Sequence, residues 1–457
     1  MSNDSYIQLP SDSVGKKLFT KEHVVGANTV QGQVIHLADN GNPSHIQVID
    51  HRGSASVRFS EGSPLSDAFG NLKVSAKTTI GTYDFVGNPS DSLYSDVIVG
   101  TGAITHIPNA STMSLSVGSA SGDFASRTTN KYHFYLPGTG NLTIMTVALS
   151  DSFMDGCERR WGIFDVNNGA YFHLDDLGNL KVSVRSNVSG SVVNNSVDRT
   201  LWNEDKLDGT GSSGFILDVT KLNIYWVDYQ WLGAGRVRFG VIDDRGDRIV
   251  AHTMLHAGHN IYPYMKSGSL PIQVNIENKR ITGGAASIRL TCASVQSEGA
   301  ADYTFWNFTG DFTTKSITGS NHHLLSLKAK SLYNGIHNVT NAYPETFNCY
   351  VATGTIKVDI YWDQMTLVGS TFAQDVDSTV LVDQAGTVTI AGTEYKVRTL
   401  FLDAGVHNID LSSIFNKLDE GIIARADETQ PEYVTFVATK IAGTPTIEGS
   451  VSYAEVR

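Results

Sequence analysis

The chain has 457 residues, of which 41% are hydrophobic and only 18% charged, and its formal net charge is -12 at pH 7. This acidic balance, together with the absence of any Lys/Arg run, excludes a sequence-independent grip on nucleic acid. The three cysteines (Cys157, Cys292 and Cys349) have no CxxC spacing, which disfavours a disulfide framework and a cysteine zinc site. The polar start "MSNDSYIQLPSD" and the lack of any apolar stretch of about 20 residues predict assembly in a reducing cytoplasm without membrane insertion.

Taken in chain order, the sequence predicts strands almost throughout. Alternation of apolar and polar residues, or a hairpin pattern, marks four segments: 29–39, 179–186, 236–254 (with its turn at Asp244–Asp247) and 354–363. Two short helices are predicted, at 200–206 with Thr200 as the cap and at 411–418. Many short strands with Gly-rich turns predict an all-β fold of antiparallel β-sandwiches, jelly-roll-like, with few short helices.

Changes in composition divide the chain into three predicted segments. The turn-rich stretches 60–70 and 297–303 look like a linker and a break. We therefore expect an N-terminal extended segment for anchoring or assembly at 1–66, a large β-sandwich domain at 67–300, and a C-terminal β-sandwich domain at 301–457.

The stretch "LDGTGSSGFILD" (207–218) contains a GxGxxG pattern in Gly209, Gly211 and Gly214. A dinucleotide-binding loop needs a strand before the first glycine and a helix after the last, because the helix N-terminus holds the pyrophosphate. Here a polar, helix-like segment precedes the glycines and the β-prone "GFILDVT" follows them. The reversed order argues against dinucleotide binding.

The aspartates around this loop leave two interpretations. Asp205, Asp208 and Asp218 offer the hard oxygens of a calcium site, although the usual DxDxDG spacing is missing. The favoured interpretation is a tight structural loop, in which glycines take positive φ and let the backbone pass close to a neighbour. No cofactor and no metal is predicted.

Two further motifs have plain alternatives. His252, His256 and His259 lie in "HTMLHAGH", but Thr253 stands where a zinc protease needs its glutamate. A metal pair at His252 and His256 remains an alternative to a polar strand end. The RGD tripeptide at Arg245–Asp247 is an adhesion motif or, equally, a solvated hairpin turn.

No catalytic set stands out in the sequence, which has no GxSxG elbow. A glycosidase pair of carboxylates, roughly 5 to 9.5 Å apart, is something only the fold can assemble. Residues 223–235 ("NIYWVDYQWLGAG") alternate aromatic residues with Trp226, Asp228 and Gln230 on the other strand face. Faces of this kind occur in carbohydrate sites and, more often, as sheet core with a wet reverse side.

Long strings of this sequence resemble, in order, a module of virion structural proteins of tailed bacteriophages and some large DNA viruses. The matching strings lie at 67–75, 159–175, 201–241 ("LWNEDKLDGTGSSGFILDVTKLNIYWVDYQWLGAGRVRFGV"), 264–278, 324–338 and 447–457. The resemblance covers about 67–457. Ser212 stands where the module often has proline, so this loop is expected to be looser.

The resemblance implies a non-enzymatic virion protein: a head decoration, a head or neck fibre, or a tail-associated component. Its implied partners are further copies of itself, as a homotrimer or another symmetric homo-oligomer, and other virion proteins of the capsid, portal, neck or tail. Its implied location is the virion, after assembly in the host cytoplasm. In such a protein the glycine loop is structural, and Asp208 and Asp218 bond neighbouring backbone N–H groups.

Two alternatives stay open. The first is a receptor-binding tail fibre or adhesin that contacts a host surface glycan through an exposed aromatic shelf; the candidate contacts are Trp202, Trp226, Trp306 and Trp362. The second, less favoured, is a capsule depolymerase, which needs two carboxylates converging in a groove.

Overall fold

The computed structural model describes residues 77–299, 305–362, 366–374, 377–392, 394–415, 422–423 and 433–456, and the strand segments 4–8, 17–25, 28–33, 48–49 and 55–56. Strands account for 59% and helices for 2%, and the described strands pair antiparallel. The predicted all-β class of antiparallel sandwiches is confirmed. The chain divides into two compact units, Met1–Leu65 and Ser66–Arg457. The division at residue 300 remains a prediction.

The first unit contains a three-stranded sheet in the order β1-β2-β3 and a short hairpin. Its strands are β1 (Asp4–Gln8), β2 (Lys17–Val25), β3 (Asn28–Gln33), β4 (Val48–Ile49) and β5 (Ala55–Ser56). The strand predicted at 29–39 is described as far as Gln33. The rest of it, and the linker predicted at 60–70, lie outside the described residues.

Residues 77–299 form two facing sheets. The strands are β6 (Lys77–Asp84), β7 (Tyr94–Val99), β8 (Ala103–Ile107), β9 (Thr112–Val117), β10 (Phe124–Thr129), β11 (Gly140–Leu149), β12 (Cys157–Phe164), β13 (Gly169–Leu174), β14 (Leu180–Ser186), β15 (Val193–Asp198), β16 (Asn223–Tyr229), β17 (Val237–Ile242), β18 (Arg248–Met254), β19 (Ile272–Asn278) and β20 (Ala286–Glu298). A seven-stranded sheet has the order β15-β14-β13-β12-β19-β10-β7. An eight-stranded sheet has the order β18-β17-β16-β11-β20-β9-β8, with β6 beside β20.

Aromatic side chains join these two sheets in one core. The Trp161 ring of the seven-stranded sheet lies 5.1 Å from the Tyr225 ring of the other sheet, and the Phe172 ring lies 5.6 Å from Phe239. The inward residues of β14 are Leu180, Val182 and Val184, as the alternation predicted. The predicted hairpin is confirmed as β17 and β18, which pair across the turn 243–247.

The predicted helices are shorter than expected. The helix predicted near residue 200 is a single 3-10 turn, Arg199–Leu201. Its cap is Asp198 rather than Thr200, because the Asp198 carboxylate accepts the Thr200 N–H at 3.0 Å. Two further 3-10 turns, which were not predicted, are Asp91–Leu93 and Pro108–Ala110. Near residue 411, the N–H groups of Ile414 and Phe415 donate to the Leu411 carbonyl, which makes one turn. Residues 416–418 lie outside the described residues.

Residues 305–456 form a second sheet system around a separate core. The strands are β21 (Phe305–Ser316), β22 (His322–Ala329), β23 (Leu332–Tyr333), β24 (Ile336–His337), β25 (Asn341–Trp362), β26 (Thr366–Val368), β27 (Ala373–Gln374), β28 (Val380–Asp383), β29 (Thr387–Thr389), β30 (Lys396–Asp410), β31 (Ile422–Ile423), β32 (Tyr433–Ala442) and β33 (Thr446–Val456). Nine of them make one sheet, ordered β21-β33-β25-β32-β22-β28-β27, with β30 and β31 beside β25.

The long strand β25 changes one of its pairing partners along its length. Its first half pairs with β33 and its second half with β32, with an irregular register between Val351 and Thr355. Gly354 lies at this bend with φ 74°, where a Cβ would come within 2.4 Å of the Ala442 carbonyl oxygen. The strand predicted at 354–363 therefore begins earlier, at Asn341, because the bend interrupts the alternation without ending the pairing. No described helix is long and apolar enough to span a bilayer.

Candidate functional site

The seven-stranded sheet turns a polar face away from the core. Along β12, Trp161 points inward, so Glu158 and Arg160 point outward. The outward side chains of the next strands are His173 on β13 and Ser183 on β14. These groups, with Ser196 of β15 and Glu277 of β19, are defined here as the polar face.

Three side chains of the polar face stand in the order nucleophile, base and carboxylate. Ser183 Oγ lies 3.1 Å from His173 Nε2, and His173 Nδ1 lies 3.1 Å from Glu158 Oε1. The same order of groups serves nucleophilic catalysis in hydrolases. Here, however, Ser183 is 0% exposed, and its hydroxyl also bonds Ser196 Oγ at 2.7 Å. The relay therefore links three neighbouring strands and ends in a hydroxyl that no substrate reaches.

Two carboxylates of the polar face lie directly opposite each other. Glu158 and Glu277 are cross-strand partners on β12 and β19. The Arg160 guanidinium bonds both of them, and Lys279 Nζ lies 2.6 Å from Glu277. Burial by itself would raise the pKa of Glu158, but the hydrogen bond from His173 and the charges of Arg160 and Lys279 hold it at about 2. Glu158 is consequently ionised at neutral pH and has no proton to give a leaving group.

The glycine loop closes on an internal carboxylate. Asp205 is 3% exposed and accepts the Leu207 N–H at 2.8 Å and the Ser213 N–H at 2.9 Å. A Cβ on Gly211 would lie 2.1 Å from Asp205 Oδ1. Only glycine fits at position 211, because the backbone there passes too close to the Asp205 carboxylate to leave room for a side chain.

The other two aspartates predicted around this loop, Asp208 and Asp218, each stabilise a local turn. Asp208 accepts the Thr210 N–H at 2.9 Å, and Asp218 accepts the Thr220 N–H at 2.9 Å. Gly209 and Gly214 have φ values of 86° and 65°. The carboxylates do not converge, and among the described residues no three His, Cys, Asp or Glu side chains are placed to hold a metal ion.

The four tryptophans named as candidate glycan contacts occupy different surroundings. Trp202 and Trp226 are 3% and 1% exposed, and their Nε1 atoms donate to the carbonyls of Val197 and Val241. Neither ring has a face open to a ligand. Trp362 is half-buried at the end of β25, whereas Trp306 on β21 is 53% exposed. The structure does not bring the four rings together.

The histidines of "HTMLHAGH" also separate. His252 Nδ1 accepts the Asn203 N–H at 3.2 Å, and burial lowers the pKa of His252 to about 4. His256 Nδ1 lies 3.0 Å from the Gly235 carbonyl oxygen, to which it donates. Each ring thus bonds a different backbone segment.

A groove that the sequence analysis missed opens at the edge of the sandwich, with a volume of about 440 Å³. The edge strand β15 and its neighbour β14 form one wall, and the loop 256–264 after β18 forms the other. We call it the β14–β15 groove; its lining includes Val184, Asn195, His256, Asn260, Tyr262 and Tyr264. The local signal was "HNIYPY", an aromatic and amide cluster without strand or helix periodicity.

Comparison with known proteins gives likeness in structure only. No family model matches the sequence, and no curated protein matches it. A glycoside hydrolase family protein from Mycobacterium thermorestibile is similar at 14% identity and TM-score 0.32, covering 47% of this chain and 99% of that one. A legume lectin-like domain from Entamoeba histolytica is similar at 10% identity and TM-score 0.29, and the match covers 48% of this chain and 97% of that one. The CBM2 module of an evolved Dit from Lactobacillus casei BL23 phage J-1 is similar at 11% identity and TM-score 0.31, and the match covers 49% of this chain and 96% of that one.

Proposed function

We propose that this chain is a non-enzymatic structural protein of a phage virion, acting as a head decoration, a head or neck fibre, or a tail-associated component. The resemblance of residues 67–457 to virion modules supports the assignment to a particle. The observation that carries the structural role is the use of ionisable side chains as braces between strands.

Three arginines illustrate this use. The side chains of Arg127, Arg159 and Arg238 are 0% exposed, and each is paired with an aspartate. Arg238 and Asp228 are direct cross-strand partners, 2.8 Å apart. A buried guanidinium costs several kcal/mol of desolvation unless its partner is in place, so such pairs favour one strand register over its alternatives. The polar face extends the pattern, because its Ser–His–Glu relay ties β14, β13 and β12 together.

One edge of the second sheet system, that of β30, is a candidate surface for assembly on a particle. Among the described strands, β30 pairs only with β25, so no described strand covers its other edge. Phe401 and Val406 on this strand are 70% and 82% exposed. An edge with outward apolar residues suits a symmetric homo-oligomer, a homotrimer being the form expected from the sequence, or contact with another virion protein.

Cryo-electron microscopy of purified particles tests the proposal, with this chain located in the map and its presence verified by mass spectrometry. We expect density on the capsid lattice, the neck or the tail, in a symmetric arrangement. Density at a distal tail tip with Trp306 facing solvent would instead favour the receptor-binding adhesin. Absence of the chain from purified particles would refute the virion assignment.

The depolymerase alternative needs its own experiment. Purified full chain is incubated with host capsular polysaccharide, and released reducing ends are counted beside the Glu158→Gln variant. We expect no release by either protein, because Glu158 is held ionised. Release that disappears in the variant would make the polar face an active site and overturn the non-enzymatic assignment.

A further inference from the structure

The floor of the β14–β15 groove is a pair of stacked rings. His256 and Tyr264 lie with centroids 4.0 Å apart and an interplanar angle of 13°, and both are nearly buried. Because the Gly235 carbonyl can only accept, His256 Nδ1 carries the hydrogen. Burial lowers the pKa of His256, so the ring is neutral and its Nε2 is an acceptor.

The rim of the groove presents a large aromatic side chain to solvent. Ile261 and Tyr262 are 95% and 71% exposed, side by side in the loop after β18. The loop is anchored on both flanks, because the His259 N–H bonds the His256 carbonyl and the Tyr264 N–H bonds the Gly233 carbonyl at 3.0 Å. A rigid aromatic held out to solvent loses little conformational freedom when it binds.

The polar groups of the groove are uncharged. The described residues that line it are Val, Ser, Asn, His, Ile, Tyr and Pro, and none of these carries an ionic side chain. Asn195 and Asn260 are exposed, and no described residue hydrogen-bonds to either side chain, so the donors and the acceptor of each amide face solvent. A few such groups among apolar and aromatic side chains are typical of a small-ligand site of this volume.

These features together select one class of ligand. Phosphates, nucleic acids and acidic peptides need cations that the groove does not offer. A purely apolar ligand that filled the groove would displace water from the amides of Asn195 and Asn260 and give them no hydrogen-bond partner in return. A neutral saccharide has apolar C–H faces for Tyr262 and hydroxyls for the amides and for His256 Nε2. We infer that the β14–β15 groove binds a neutral saccharide, with Tyr262 as its aromatic platform. This inference does not depend on the virion assignment.

The test is binding of the purified full chain to an array of immobilised neutral oligosaccharides of glucose, galactose, mannose and N-acetylglucosamine. We expect retention on at least one oligosaccharide, and a loss of about tenfold in affinity for Tyr262→Ala, the scale of an interface anchor. The matched control is Tyr350→Ala, which removes a tyrosine that is 46% exposed on β25. The control variant should bind as the parent does.

Three results would overturn the inference. The first is that no oligosaccharide retains the parent above the level of Tyr262→Ala. The second is that both tyrosine variants bind alike. The third is a concentration-dependent dimer in sedimentation that Tyr262→Ala abolishes, which would assign the groove to a second copy. Thermal unfolding of both variants verifies that they are folded. None of these results bears on particle location, so failure here and failure of the virion assignment are distinguishable.

Discussion

Tyr83 and His133 are 50 residues apart in the sequence, yet the Tyr83 hydroxyl lies 2.9 Å from His133 Nε2 inside the first core. On the other side of the ring, Nδ1 lies 3.0 Å from the Leu270 carbonyl oxygen. The carbonyl accepts, so Nδ1 carries the hydrogen and Nε2 accepts from the tyrosine. Burial, with a smaller effect of the Lys131 charge, lowers the pKa of His133 to about 3. The folded chain therefore keeps this imidazole neutral.

Neutral buried histidines predict that acid destabilises the fold. His252 and His323 behave like His133, since burial lowers the pKa of each to about 4 from 6.5. Below pH 6.5 the unfolded chain binds protons that the folded chain does not, so stability is complete above pH 6.5 and falls toward pH 4. For His133 the loss reaches about 1.4 kcal/mol per pH unit. Asp96 acts in the opposite direction: burial raises its pKa to about 6 despite the charge of Arg127, so its protonation favours the folded chain as the pH falls. This single carboxyl group stands against three histidines.

Urea unfolding at pH 7, 6 and 5 measures this effect as a falling midpoint concentration. The His252→Gln variant, which keeps an acceptor for the Asn203 N–H, should show a shallower fall with pH. A midpoint that stays level or rises on acidification would contradict the prediction.

The pairing of the buried Arg159 with the partly exposed Asp151 predicts a large loss of stability from a single substitution. Arg159 Nη2 lies 2.8 Å from both carboxylate oxygens of Asp151, and the guanidinium is 0% exposed. Asp151→Ala leaves this charge buried and unpaired, which should lower the free energy of unfolding by about 3 kcal/mol. Guanidinium chloride unfolding measures the difference.

Two comparisons make this experiment specific. Asp155→Ala removes a carboxylate that is 65% exposed and 2.7 Å from Arg280, and should change stability little. The double variant Arg159→Met with Asp151→Ala should be more stable than Asp151→Ala alone, because no charge is then stranded. Equal losses of stability for Asp151→Ala and Asp155→Ala would argue against a bracing role for the pair of Arg159 and Asp151.

Gly211 is predicted to stabilise the fold and to take no part in ligand binding. Gly211→Val places its side chain on the Asp205 carboxylate and breaks the hydrogen bonds to Leu207 and Ser213. We expect a melting temperature lower by several degrees and unchanged saccharide affinity in the protein that remains folded. Gly283→Ala is the control, because its Cβ would meet no atom within 4 Å. A normally folded Gly211→Val chain that lost a specific ligand would refute the structural interpretation of the loop.

The sequence predicted local structure well in strands where apolar residues on one face alternate with polar residues on the other. β14 and the hairpin of β17 and β18 show this, because alternation states which residues share a face. Alternation does not state what covers each face. Trp226 and Asp228 were expected on a wet reverse side of β16, but Trp226 packs with Leu142 and Val250 and is 1% exposed. Asp228 is buried as well, and its carboxylate pairs with the guanidinium of Arg238.

The β14–β15 groove could not be predicted because its walls are distant in sequence. Asn195 on β15 and Tyr262 in the loop after β18 meet only through the order of two sheets. Neither residue lies in a periodic segment or a motif. Long-range strand order depends on packing of the whole core, which a local pattern does not encode.

The three cysteines predict a simple labelling pattern. Cys157 and Cys349 are buried, and burial raises their thiol pKa to about 11 and about 12, whereas Cys292 on β20 is exposed. A thiolate that reagent can reach is required for reaction, so Cys292 alone should react with Ellman's reagent in the folded chain. All three should react in urea. The Cys292→Ser variant should release no thionitrobenzoate until it is unfolded, and reaction of a second thiol in the folded protein would show that one of the two cores opens at its cysteine.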